Sequence, residues 1–182
     1  FLKVWTCVGA MALLIGLSGA YAQAPADGSV REKDIPIQVT EVAPGLFFQY
    51  HHQESNNAWL VTGDGVLVID TRQHPRRGEE LLAAIRKTTD KPIKYVINTH
   101  AHGDHYFGNP VFKREGAIFI AHRDTQRMMQ AHHGVEMKRR QGYFKQTKFD
   151  SAEVQLVLPD MTFDSKLTLT LGGRSVELLY FG

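Results

Sequence analysis

The chain has 182 residues, enough for one domain with a sizeable core. Its 43% hydrophobic and 22% charged residues exclude a disordered or fibrous chain. A formal net charge of +2, with Lys and Arg dispersed, argues against a nucleic-acid-binding surface; the one basic run, Lys138-Arg139-Arg140, reads as a solvated helix face.

The first 22 residues differ from the rest. Lys3 is their only charge, Val8 to Leu17 is apolar or small throughout, and Ala20-Tyr21-Ala22 has the small-x-small pattern of a signal-peptidase site. Residues 1–22 are therefore expected to be a secretory signal peptide, and the mature protein to be periplasmic or secreted. The apolar stretch is shorter than the ~20 residues a spanning helix needs, so stable membrane insertion after cleavage is not expected. Cys7, the single cysteine, lies within this segment, which leaves the mature region without disulfides or thiolate metal ligands. Residues 23–36, polar with Pro and Gly, read as a flexible lead-in to a domain over 37–182. Because the chain opens on Phe, a few residues are expected to precede it.

The domain begins with strands at Gln38–Val42 and Leu46–Tyr50 around the turn Ala43-Pro44-Gly45. Strands at Ala58–Thr62 and Val66–Asp70 follow, joined by Gly63-Asp64-Gly65 as a tight hairpin. Apolar spacing predicts a helix over Glu79–Thr88, stopped by Pro92, then a buried strand over Ile93–Asn98. A short helix is expected at Asn109–Arg114, a strand at Ala117–Ala121, and a polar helix from His122 to about Gln146, broken or bent near Gly134 and Gly142. Leu167–Leu171 and Ser175–Phe181 form a hairpin over Gly172-Gly173. Hairpins first and strand–helix alternation later indicate an α+β domain, with a largely antiparallel or mixed sheet and helices on one face.

The chemistry concentrates in His100-Ala-His102-Gly-Asp104-His105, directly after the buried strand. His is the commonest metal ligand, and zinc favours imidazole nitrogen and carboxylate oxygen. Four donors so close in sequence cannot all reach one tetrahedral ion without strain, so two ions that share the cluster fit better. Asp70, at the end of an apolar strand, either hydrogen-bonds this loop or simply ends the strand. His51 and His52 could face a substrate groove but read more simply as solvated turn residues, His132-His133 reads as surface, and His122 is left without a role. Trp59 belongs to the core, and Gly108 and Asn109 shape the turn after the motif.

The run Val96 to Asn109, VINTHAHGDHYFGN, resembles the His-x-His-x-Asp-His motif of the metallo-β-lactamase superfamily. The preceding hairpin Asn57–Asp70 is similar to the paired strands that come before that motif in the family. The resemblance implies an αββα sandwich, of which 37–182 covers the N-terminal half to two-thirds. It implies zinc, two ions in the complete protein, with His100 and His102 on the first and Asp104 and His105 on the second. Asp104 would also assist catalysis, and Asp70 would hold the metal loop. A third His, a bridging Asp and a last His complete the family's sites. The third is expected after a strand like Ser175–Phe181, so the chain reads as a fragment that stops short of it, with two ligands per ion and one sheet lacking its partner layer.

The implied function is an exported zinc-dependent hydrolase that uses a metal-bound hydroxide on an ester-, amide- or lactam-like bond of a small-molecule substrate. β-Lactam hydrolysis is the alternative within that class, and a zinc-binding protein or inactive fragment the alternative outside it. Oligomeric state is not legible in the sequence.

Overall fold

A computed structural model describes residues 2–6, 38–51 and 54–181. The expected signal-peptide and lead-in segments fall almost entirely outside the described residues, as does His52. Within the former, Leu2–Thr6 forms a strand (β1). Among the described residues, no helix is long and apolar enough to cross a membrane.

Seven strands form a mixed sheet: β2 (Gln38–Ala43), β3 (Leu46–Tyr50), β4 (Asn57–Val61), β5 (Val66–Ile69), β6 (Ile93–Asn98), β7 (Ile118–His122) and β8 (Met161–Phe163), in that spatial order. The first four pair antiparallel, as short turns permit. From β5 onward the strands are parallel, because helices return the chain: α1 (Pro75–Arg86) between β5 and β6, then α2 (Gly103–Tyr106) and α3 (Asn109–Arg114) between β6 and β7. The long helix α4 (Arg123–Thr147) and a 3₁₀ turn at Ser151–Glu153 lead to β8. A second sheet joins β9 (Lys166–Leu171) and β10 (Arg174–Tyr180) as an antiparallel hairpin, with β1 parallel to β10.

The central strands are apolar on both faces, as parallel strands covered on both sides must be. On one face Trp59, Val68, Val96 and Phe119 pack with Leu81 and Ile85 of α1 and Val111 and Phe112 of α3. On the other Leu60, Leu67, Ile97 and Ile120 pack with Leu169, Leu171, Val176 and Leu178 of the hairpin. The molecule is an α+β domain with helix, sheet and sheet layers stacked in turn. Helices on one face and a mixed sheet are as expected; the correction is that the large sheet does have a partner layer, the β9–β10 hairpin. Alternation inside Val66–Ile69, Ile93–Asn98 and Ile118–His122 sends every second side chain to each side, so both layers draw on the same three runs.

Two helices differ from their sequence reading. α1 begins at Pro75, four residues before Glu79, because His74 caps it through Nδ1, which accepts the Arg77 N–H at 3.4 Å, and Pro suits the first turn. α4 is one unbroken helix of 25 residues. A Cβ at Gly134 or Gly142 would meet nothing within 4 Å, so these glycines lie on open surface and mark no bend.

Candidate metal centre

The motif sits where β6 ends, and its shape follows from hydrogen bonds that reach across the strand ends. Asp70 and Arg72, just past β5, have φ of 60° and 74°. The left-handed region is costly for such residues and persists where surroundings fix it. Here they do: the Thr71 N–H between them donates to His105 O at 2.9 Å, and Gly108 N–H donates to Arg72 O at 3.2 Å. Asn98 Nδ2 adds a bond to His105 O at 3.2 Å, and Asn98 and Asn109 exchange side-chain bonds at 2.9 and 3.2 Å. A Cβ on Gly108 would lie 1.9 Å from Thr71 O, so only glycine lets the two loops close.

Asp70 fixes the histidines. Its Oδ1 accepts the Thr99 N–H at 2.8 Å; its Oδ2 accepts the Thr99 hydroxyl and His105 Nδ1, each at 2.7 Å. Thr99 has one hydroxyl proton and gives it to Asp70, so at 3.0 Å from His100 Nδ1 it must accept. His100 therefore carries its proton on Nδ1 and turns the Nε2 lone pair outward. His105, with Nδ1 engaged by Asp70, likewise presents Nε2.

The outward atoms fall into two pairs. His100 Nε2 lies 3.1 Å from His102 Nδ1, and His105 Nε2 lies 3.5 Å from Asp104 Oδ2. Two donors ~2.0–2.1 Å from a tetrahedral zinc sit about 3.3 Å apart, so each spacing suits a shared ion. Burial first, and then His105 alongside, push the His100 imidazole down to about 4, which keeps it neutral at pH 7 as a metal ligand must be. For His105 burial also opposes the charge, but Asp70 and then Asp104 outweigh it and raise its pKa. That net field favours a cation between the two carboxylates. Among the described residues, no group of three or more His, Cys, Asp or Glu is arranged to hold one ion. The residues present thus fit zinc as two donor pairs, each short of a full set.

α4 supports this loop from behind. Glu136 Oε2 accepts the Gly103 N–H at 3.0 Å, Arg140 Nη2 donates to Asp104 Oδ1, and the Tyr106 hydroxyl lies 3.1 Å from His133 Nδ1. Tyr143 donates to Glu54 Oε1 at 2.5 Å; that carboxylate also pairs with Arg77 at 3.0 Å and with fully buried Arg72. Ser55 donates to Asp104 O at 2.5 Å.

All four motif donors come together in the structure, and Asp70 touches the loop they occupy. Three surface readings need correction. Arg140 is drawn out of the basic run onto Asp104, and His133 is half-buried against Tyr106 and Phe107. His51 is buried rather than solvated, its Nδ1 accepting the Glu54 N–H at 3.0 Å. His122 caps α4, accepting the Asp124 N–H at 3.2 Å, and stacks on Tyr180. Glu136, Arg140 and Thr99 were not legible as site residues. Their signal was helical spacing at 133, 136, 140 and 143, and a hydroxyl directly before His100.

Residues 53–177 match the sequence model of the metallo-β-lactamase superfamily. The chain belongs to the metallo-β-lactamase superfamily. Its fold is similar to a metallo-β-lactamase from Pontibacter korlensis, with TM-score 0.55 and 21% identity over 78% of this chain and 59% of that one. The stereoselective inverting sec-alkylsulfatase Pisa1 from Pseudomonas sp. gives TM-score 0.61 and 20% identity over 78% of this chain and 27% of that one. In sequence the chain is 38% identical over 55 residues to the linear primary-alkylsulfatase of Pseudomonas sp. (strain ATCC 19151), 30% of this chain and 10% of that protein. It spans less than two-thirds of each of these superfamily relatives.

Proposed function

We propose that this chain carries one half of a zinc-dependent hydrolase centre, acting on an ester-, amide- or lactam-like bond outside the cytoplasm. The observation that carries the reading is the pairing of lone pairs: Asp70 and Thr99 turn His100 Nε2 and His105 Nε2 outward, towards His102 Nδ1 and Asp104 Oδ2. His100 with His102, and Asp104 with His105, would hold the ions. Zinc, when bound, supplies a Lewis acid and water acidified to near neutral pH. Asp104 has Oδ1 tied to Arg140, which leaves Oδ2 as the oxygen that would face the ion and from there orient an attacking water. The apolar, nearly uncharged segment 1–22 supports export.

Two substrate classes stand out. The likeness to alkylsulfatases in local sequence and in fold favours sulfate esters; the likeness to β-lactamases favours β-lactams. Fold alone does not choose between them. A panel of an alkyl sulfate, a cephalosporin, a lactone and a thioester, with and without zinc, tests the reading. In the full-length protein zinc-dependent turnover of one class is expected, and His102→Ala and Asp104→Ala should each lower it by at least about 100-fold, beyond the usual loss when an outer partner of a ligand is removed. Full activity in both variants would rule out the donor assignment. Binding of about two zincs with no turnover on any substrate would favour a zinc-binding protein.

A further inference from the structure

α2 opens inside the metal motif, and its start lacks the usual cap. His102 occupies the N-cap position, yet its side chain makes no capping bond. Its ring is turned to His100 instead, with Nδ1 3.1 Å from Nε2. The first N–H groups of a helix need partners, and the N-cap side chain normally supplies one. Here a residue far away in sequence supplies one: Glu136 Oε2 accepts the Gly103 N–H at 3.0 Å. The Glu136 side chain is only 6% exposed, its other oxygen paired with Arg139 at 2.8 Å. A buried carboxylate is costly unless paired and hydrogen-bonded, so its position is closely specified.

Gly103 is the residue between His102 and Asp104, the last donor of one pair and the first of the other. We propose that Glu136 is a positioning residue for the metal motif: by holding the Gly103 N–H it pins the turn between His102 and Asp104 and fixes the spacing of the two donor pairs. This rests on the metal reading above. Arg140, one turn further along α4, grips the adjacent Asp104 side chain, so the same helix face holds two successive residues of the turn.

Three variants separate reach from charge. Glu136→Ala removes both, Glu136→Asp keeps charge but draws the oxygen back by one methylene, and Glu136→Gln keeps an acceptor oxygen in reach without charge. Gly103 amide exchange, followed by NMR without metal, reads the bond; zinc affinity, by competition with a chromophoric chelator, reads its consequence; circular dichroism reports folding. In Ala and Asp variants Gly103 should exchange about 10-fold faster, the worth of one hydrogen bond, and zinc should bind ~10–100-fold more weakly. The Gln variant should stay within about three-fold of wild type on both, given a retained acceptor. If the Ala variant does not fold, the Asp variant carries the comparison. Unchanged Gly103 exchange in the Asp variant, faster exchange with unchanged zinc affinity, or a Gln variant as impaired as Ala would each overturn the proposal. A wild-type chain that takes up no zinc would instead sink the function proposed above, while Gly103 exchange still decides whether Glu136 holds the turn.

Discussion

His74 shows how one side chain ties local structure to pH. It caps α1 through Nδ1 and stacks on Phe149 with ring centroids 4.1 Å apart. Burial first, and then Arg77, push its pKa from 6.5 down to about 4. Between those values the unfolded chain binds a proton that the folded chain refuses, so stability is complete above about pH 6.5 and is lost as pH falls towards 4. His74→Asn keeps a capping oxygen but removes the titration. Urea unfolding at pH 7 and pH 4.5 should show wild type losing roughly 2–3 kcal/mol more than the variant. His100, also held at about 4, keeps its own contribution in both proteins. An equal loss in the two would mean that His74 titrates normally in the fold. At this scale the motif itself was legible, because its His and Asp residues stand together in six consecutive positions. The hydroxyl of Thr99 was not: its role depends on Asp70, which is 29 positions away and adjacent only once β5 lies beside β6.

Helices and turns show the same division. The short return from motif to α3 works because Gly108 has no side chain to meet Thr71 O. Gly108→Ala should lower unfolding stability by at least about 2 kcal/mol, as overpacking against rigid backbone does. Gly134 offers the contrast. It lies in the middle of α4, with open space where a Cβ would go. Gly134→Ala should therefore raise stability by about 0.5–1 kcal/mol through helix propensity alone. Chemical denaturation of both variants checks the pair, and opposite signs are expected. Sequence placed Gly108 in the turn after the motif, as the structure does, but read Gly134 as a break or bend, since a glycine inside a helical pattern carries no local mark of the space around it. In α4 the basic run Lys138-Arg139-Arg140 reads from sequence as a solvated face because its charges are many. The α4 face at 133, 136 and 140 turns polar residues inward onto the motif, and Tyr143 extends it onto Glu54, where polarity looks like exposure when read from composition.

Across the whole molecule, the large sheet is clamped between helices and the β9–β10 hairpin. Leu178, fully buried in the middle of β10, packs into the cluster of Leu60, Leu67, Ile97 and Ile120. Leu178→Ala should cost about 2–5 kcal/mol, the range for core leucines that leave a cavity. A change below about 0.5 kcal/mol, typical of surface sites, would show that the hairpin does not cover the sheet. The turns at either end of this contact also meet: Gly172 N–H donates to Asp64 at 2.9 Å, which ties the hairpin to the β4–β5 turn.

From its sequence alone, the chain determined most of its strands, though neither β1 nor the short β8, along with its motif and its superfamily, because those depend on period-two apolar runs and on His and Asp set close together along one segment. The tertiary structure decided what surrounds them. It brought Asp70 and Thr99 together to orient two histidines, set Glu136 and Arg140 of α4 behind the motif, and laid the hairpin over the second face of the sheet. Each of these joins residues tens of positions apart, and a charged or polar side chain carries no local mark of whether it meets water or a partner. The motif could be read because its residues are neighbours in the chain; the groups that touch it could not, because they become neighbours only on folding.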